Sequence, residues 1–309
     1  MYFEPLQLKG MRKIFTFLAV ISLSATGYSQ QLHFTSQYLQ HNAMYNPAAA
    51  GISKQNMIGL SYRNQWSSFP GNPRTYMLYG DFHLQKMKAG IAAYIYRDET
   101  GPTSRTGIQL AYSYHVRTGE AGRMGIGLEL RALQYAIDKS KLTDALGSND
   151  PLLGGKDKKL GIDAGAGLYW TNDKLSIGAA VSQLIQSKLE LANVPGSTQG
   201  GKLYRHYNFT ANYRIQTGEN IYVIPNAMVR VIQNSPSEFD FGAKVDYQDK
   251  IWWALNWRVK QFWSIQAGFK ILQRVRLAYS YDYYQTPISV YAGGTGAHEI
   301  GLQFGFKKK

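Results

Sequence analysis

Beyond residue 55 the apolar positions recur every second residue. Met124, Ile126, Leu128, Leu130 and Ala132 alternate with Gly125, Gly127, Glu129 and Arg131. Ile162, Ala164, Ala166, Leu168 and Trp170 repeat the pattern against Asp163, Gly165, Gly167 and Tyr169. Phe239 to Tyr247, Val275 to Tyr283 and Ile300 to Phe306 follow it as well. Period two puts one apolar and one polar face on each segment, which predicts β-strands. Fourteen such strands are expected, starting near residues 55, 75, 89, 106, 123, 161, 174, 204, 221, 237, 251, 262, 275 and 296.

Alternation alone suits a soluble sandwich as well as a membrane barrel. Three features favour the barrel. The strands approach the roughly 9–11 residues that a tilted membrane crossing needs. Short turns, such as Arg117 to Glu120 and Asn172-Asp173, alternate with longer connections. Aromatics gather near strand ends, with Trp170, Trp252, Trp253, Trp257 and Trp263 expected in interfacial girdles. In hydrocarbon every backbone N–H and C=O must pair internally, so strands cross only when closed on themselves. The expectation is an all-β chain folded as a transmembrane antiparallel β-barrel. Residues 134–160 and 186–202 are long and irregular and are expected to be extracellular loops.

The N-terminus predicts export. Lys9, Arg12 and Lys13 precede the short apolar run Ile14 to Leu23, and Ser24 to Ser29 is small and polar. This is the layout of a cleaved signal peptide over residues 1–29, with Met11 as a candidate start. Residues 30–309 then form the barrel unit, in which 30–54 lack clean alternation and are expected to pack in or against the barrel. Export plus barrel places the protein in the outer membrane of a diderm bacterium, with the lipid bilayer as its surroundings.

Composition narrows the chemistry. Charged residues make up 17%, below the roughly 25% of a soluble domain. The chain holds no cysteine, which excludes disulfides, a Cys zinc site and a Cys nucleophile. Net charge is +14, but the cations are dispersed, so a nucleic-acid strip is not expected. The six His make no metal-ligand pair at helical spacing. Gly154-Gly155-Lys156 fails as a phosphate loop because Asp150 and Asp157 stand where Gly and Ser/Thr are needed. No catalytic, cofactor or metal residues are assigned, and no enzyme is expected. Asp81, Glu129, Asp163, Asp240, Asp246 and Asp282 face Arg131, Arg214, Arg230, Lys244, Lys270 and Arg276 on the polar side. These charges would either line a selective pore or, as favoured here, form an ion-pair lattice that fills the lumen.

The most distinctive stretch lies near the start of the mature chain. Ser36-Gln37-Tyr38 precedes Asn46-Pro47-Ala48-Ala49-Ala50-Gly51, then Tyr62-Arg63-Asn64-Gln65-Trp66 and Gly71-Asn72-Pro73-Arg74-Thr75. Asn46-Pro47 is a turn former. Asn46, Pro47, Gly51, Arg63, Gln65 and Trp66 are the candidate structural or partner-docking residues. The two readings are a clamp that closes one barrel end and a docking surface.

These motifs resemble the PorP/SprF family of type IX secretion outer-membrane proteins. Asp98-Glu99-x-Gly101-Pro102 and His298-Glu299-Ile300 match it too. The resemblance covers the mature chain. Two departures are the start Gln30-Gln31-Leu32-His33, without an Asp-Pro, and the three closing lysines. The resemblance implies a barrel that supports secretion and surface anchoring of a large cargo, such as a gliding adhesin, by binding its C-terminal sorting domain. It also implies contact with periplasmic ring components of the secretion machine. The alternative is a passive solute channel.

Overall fold

The computed structural model describes residues 34–142, 155–188, 203–233, 235–285 and 296–306. The expected signal peptide lies outside these residues. The strands are β1 (Asn56–Gln65), β2 (Arg74–Leu84), β3 (Ala89–Thr100), β4 (Thr103–Thr118), β5 (Gly122–Asp138), β6 (Lys156–Thr171) and β7 (Leu175–Ser182). The eighth, β8, comes in two stretches, His206–Tyr213 and Ile215–Gly218, which pair end to end along one edge of β9 (Ile221–Ile232). Then follow β10 (Glu238–Tyr247), β11 (Ile251–Arg258), β12 (Phe262–Leu272), β13 (Val275–Tyr284) and β14 (Ala297–Phe306).

Each strand pairs antiparallel with its sequence neighbour, and β1 pairs with β14 from Asn56↔Phe306 to Gln65↔Ala297. The sheet is therefore a closed barrel of fourteen strands, as the alternation predicts. Closure leaves no free strand edge, which is the condition for crossing a bilayer.

The faces are inverted relative to a soluble protein. Leu60, Leu78, Leu110, Leu128, Leu130, Leu168, Leu255 and Ile265 are exposed on the outside. Gln109, Glu129, Arg131, Asn208, Asp240, Asn256, Asp282 and Glu299 are buried inside. A soluble monomer rarely exposes one continuous apolar patch beyond several hundred Å². Here the patch runs around the wall. On β6 the outward apolar row extends from Leu160 to Trp170, which at ~3.3 Å per residue and ~40° tilt is about 25 Å, the height of an outer-membrane apolar band.

One end carries only short turns, at 85–88, 119–121, 172–174, 219–220, 248–250 and 273–274. The other carries the longer connections, including 66–73, 139–155, 183–205 and 285–296. By the usual barrel rule the short-turn end faces the periplasm. Gln248 and Asp249 both have positive φ (56° and 54°), the twist-matched geometry of a tight hairpin, although neither is the glycine that usually marks one.

Two expectations need correction. The stretch 134–160 is not one irregular loop. β5 continues to Asp138 and β6 begins at Lys156, because ladder hydrogen bonds need no apolar side chain once the hairpin has left the membrane. Residues 143–154 of that loop lie outside the described residues, as do 189–202 of the second. Trp252 does not join an outer girdle. It shares the inward parity of Ala254, Asn256 and Arg258, and its ring lies 5.0 Å from the Lys244 ammonium.

A barrel of about eight strands is filled by its own side chains, whereas sixteen to eighteen leave a channel. Fourteen leave space, and residues 34–54 occupy it. They form three single turns, Tyr38–Gln40, Asn42–Tyr45 and Pro47–Ala49. From Phe34 to Ile52 most are buried.

Candidate functional site

The lumenal segment descends from the long-loop end at Phe34 to the short-turn end at Lys54, then turns into β1. Its lower half is the Asn46 to Gly51 motif. Asn46 caps the Pro47–Ala49 turn by accepting from the Ala48 N–H at 3.0 Å, and Pro47 supplies the preset φ of a first helical position. The Asn46 amide also donates to the carbonyls of Leu168 (2.9 Å) and Ala179 (3.4 Å) on β6 and β7. The Ala48 carbonyl accepts from Ser113 Oγ at 2.8 Å, and the Ala50 carbonyl lies 2.9 Å from His115 Nε2. Gly51 donates its N–H to Asp81 Oδ1 at 2.5 Å and holds a φ of +63°. A Cβ there would strike the Phe82 carbonyl and Gly90, so space and backbone together demand glycine.

The wall is shaped to receive this backbone. A Cβ on Gly125 would overlap the Ala48 carbonyl, and one on Gly127 would overlap the Ala48 backbone. The alternating glycines of β5 thus make a track, and the alanines of the motif let the segment lie on it. Above them, Arg131 donates to the Met44 carbonyl at 3.0 Å while bound to Glu129 at 2.8 Å. Tyr38 donates to Asn226 at 2.5 Å and accepts from Asn256 at 3.2 Å. Unpaired backbone polar groups inside a protein are costly, and these wall side chains supply partners that a segment without ladder pairing lacks.

The upper end is an ionic clasp. Arg63 reaches Asp282 at 2.6 Å and Glu299 at 3.2 Å, with all three fully buried. It also donates to Ser36 Oγ at 2.9 Å. Ser36 binds both carboxylates, through its N–H to Glu299 (2.9 Å) and its hydroxyl to Asp282 (2.6 Å), and the Thr35 hydroxyl donates to Glu299. The Phe34 ring sits against the guanidiniums of Arg258 (3.5 Å), Arg63 (5.2 Å) and Arg230 (5.6 Å). Those two outer arginines are anchored on Asp240 (2.9 Å) and Glu238 (2.9 Å). Gln65 donates to the Tyr284 hydroxyl at 2.9 Å. The Trp66 ring meets Tyr284 edge-on at 5.3 Å, and the Trp66 backbone N–H donates to the Gly296 carbonyl at 2.9 Å.

The six candidate residues therefore fall into two places. Asn46, Pro47 and Gly51 secure the lower half of the segment. Arg63, Gln65 and Trp66 gather around Tyr284 at its upper end. Sequence reasoning missed Tyr284 and the joint role of Asp282 and Glu299. Asp282 was visible on the polar face of its strand, but nothing local pointed to a partner more than two hundred positions away. The mixed charges inside the lumen form pairs, as the lattice reading expected: Arg131–Glu129, Arg230–Glu238 and Lys244–Asp246. Asp81 and Asp163 instead accept from backbone N–H groups of Gly51 and Ile185. Among the described residues no group of three His, Asp or Glu is placed to hold a metal.

Two surfaces remain open. β4, β5 and β6 are 16, 17 and 16 residues long, and the other strands are shorter, so β3 to β6 rise as a tall rim on the long-loop side. At the short-turn mouth a cavity of about 200 Å³ lies between the segment and β10–β14, edged by the cations Lys244, Lys250, Lys270 and Arg276 together with Asp81, Asp246 and Asp249.

The family model for the type IX secretion system membrane protein PorP/SprF matches residues 27–304. The chain belongs to the PorP/SprF family. The match, with the inverted barrel faces, identifies a type IX secretion barrel and points to the outer membrane. No curated protein sequence matches the chain. Among solved structures, the Ralstonia pickettii toluene transporter TbuX is 11% identical, with 85% of this chain and 93% of that one covered at a TM-score of 0.49. A Pseudomonas aeruginosa FadL homologue is 14% identical over 85% and 92%, TM-score 0.46. The CymD monoaromatic hydrocarbon channel is 10% identical over 90% and 94%, TM-score 0.48. At these values none of the three informs the function of this PorP/SprF member.

Proposed function

We propose that this PorP/SprF barrel supports secretion and cell-surface anchoring of a large cargo protein, such as an adhesin, by binding the cargo's C-terminal sorting domain at the long-loop end. The observation that carries the reading is the occupied lumen. A channel needs a path along the lumen, whereas this barrel fills its interior with a segment secured at both ends. The product is a stiff, membrane-fixed ring with a tall rim, which suits a mooring point. Family membership supplies the secretion context.

The test shortens the β5–β6 connection without touching the wall. Residues 139–155 are replaced by a tight turn, so that β5 and β6 still pair. Release of cargo into the medium, with normal barrel insertion, is the expected result. Cargo retained on the cell surface at the parental level would count against docking at this connection. The cationic short-turn mouth supports a companion reading in which periplasmic ring components dock there. Photo-cross-linking from Arg117, at the short-turn end of β4, and from Asn172, on the β6–β7 turn, should then capture a machine subunit and no cargo.

A further inference from the structure

We propose that the outer wall of β3–β6, directly above the apolar band on the long-loop side, is a binding site for the phosphorylated glycolipid (lipopolysaccharide) of the outer leaflet. The inference uses the outer-membrane placement and the orientation set by loop lengths. It is independent of any cargo.

The cross-strand register defines the site. Ile95, Ile108, Ala132 and Ile162 pair in sequence across β3 to β6 and form the last fully apolar outward row. The next row is Arg97, Thr106, Gln134 and Leu160. Above it come Glu99, Ser104, Ala136 and Lys158, and then Asp138 beside Lys156. All share the outward parity of the lipid-facing side chains. Thr106, Ser104 and Ala136 thus lie low between the longer side chains of Arg97 and Glu99 on β3 and Lys156 and Lys158 on β6. The result is a trough of about 230 Å³, edged also by Lys141. Three strand spacings separate its walls, or about 14 Å, the scale of a disaccharide headgroup.

Charge favours an anionic occupant. Arg97 binds Glu99 at 2.6 Å and Lys156 binds Asp138 at 3.0 Å. Lys158 and Lys141 add two further cations to the same lining. Arg and Lys pair strongly with phosphate oxygens, and the hydroxyls of Ser104 and Thr106 with the Gln134 amide match sugar hydroxyls. A soluble phosphate would gain nothing from the apolar row beneath. A phosphoglycolipid places acyl chains on Ile95, Ile108 and Ile162 and its phosphates one step higher. That geometric continuity selects a lipid of the outer leaflet, because the trough is on the long-loop side.

The experiment uses the full-length barrel in detergent, with fluorescent bisphosphorylated lipid A as probe. Matched dephosphorylated lipid A and phosphatidylglycerol serve as comparisons. R97Q/K156Q/K158Q removes the charges. S104W/T106W keeps them but fills the trough floor. K174Q/K250Q/R274Q removes three cations from the short-turn end. Heat-dependent gel mobility verifies folding of each variant. The expected result is binding weakened about tenfold or more by the first two and changed less than about twofold by the third. The dephosphorylated lipid should bind wild type about tenfold more weakly. Equal binding by R97Q/K156Q/K158Q and wild type would overturn the proposal. So would an equal loss in K174Q/K250Q/R274Q, which would indicate attraction by net charge. Phosphatidylglycerol binding as tightly as lipid A would overturn it too.

Discussion

Arg63 shows what one residue contributes here. Its guanidinium joins the segment at Ser36 to β13 at Asp282 and β14 at Glu299, across the seam where the barrel closes. A buried pair gains little over an apolar replacement of the same shape, but removing one partner strands the others and costs ~3–5 kcal/mol. Arg63→Ala should therefore lower the urea midpoint of the vesicle-inserted barrel strongly. The triple substitution R63M/D282N/E299Q, which leaves no lone charge, should recover much of that loss. An Arg63→Ala midpoint equal to wild type would sink the clasp. The motif around Arg63 was legible because turn formers, an arginine and a tryptophan stood close in sequence. Its acceptors were not, since a barrel brings its first and last strands together and local patterning carries no trace of that pairing.

At the level of elements, period two revealed almost everything that faces lipid. The expected strand starts fall close to the observed ones because every wall residue alternates between hydrocarbon and lumen. The signal fades where that contrast ends. The tops of β5 and β6 stand above the membrane and read as charged loop, and β8 is broken at Arg214, which turns over the Tyr222 ring at 3.7 Å. The segment 34–54 was visible only as a region without alternation, because its backbone is satisfied by wall side chains and not by a ladder. Its consequence is measurable. In planar bilayers the wild-type barrel should be electrically silent, and deletion of residues 34–50 should produce stepwise ion conductance. Should the deletion fail to insert, Gly127→Phe would wedge the segment off its glycine track with the wall intact. Wild-type conductance equal to that of both variants would mean that the segment does not seal the lumen.

For the whole molecule, the fold and the family fix a type IX barrel, and its two ends differ. The long-loop end carries the tall rim and the ionic clasp. The short-turn end carries a cationic mouth. On the proposed reading the segment closes the middle of the barrel, and the function lies in what each end holds. Stoichiometric company is then expected. A tagged copy extracted from its native outer membrane in mild detergent should bring a large secreted protein in near-equal amount. The variant with the shortened β5–β6 connection should lose that protein while keeping any periplasmic subunit. Recovery of the barrel alone, under conditions that preserve other outer-membrane complexes, would remove the mooring role. If the wild-type barrel then also conducted ions, weight would pass to the solute channel, and neutralising Arg131 or Arg276 should change the current. A conductance unchanged by either substitution would leave the lumenal charges to fold stability, where Arg131 already has a buried carboxylate and a backbone carbonyl to bind.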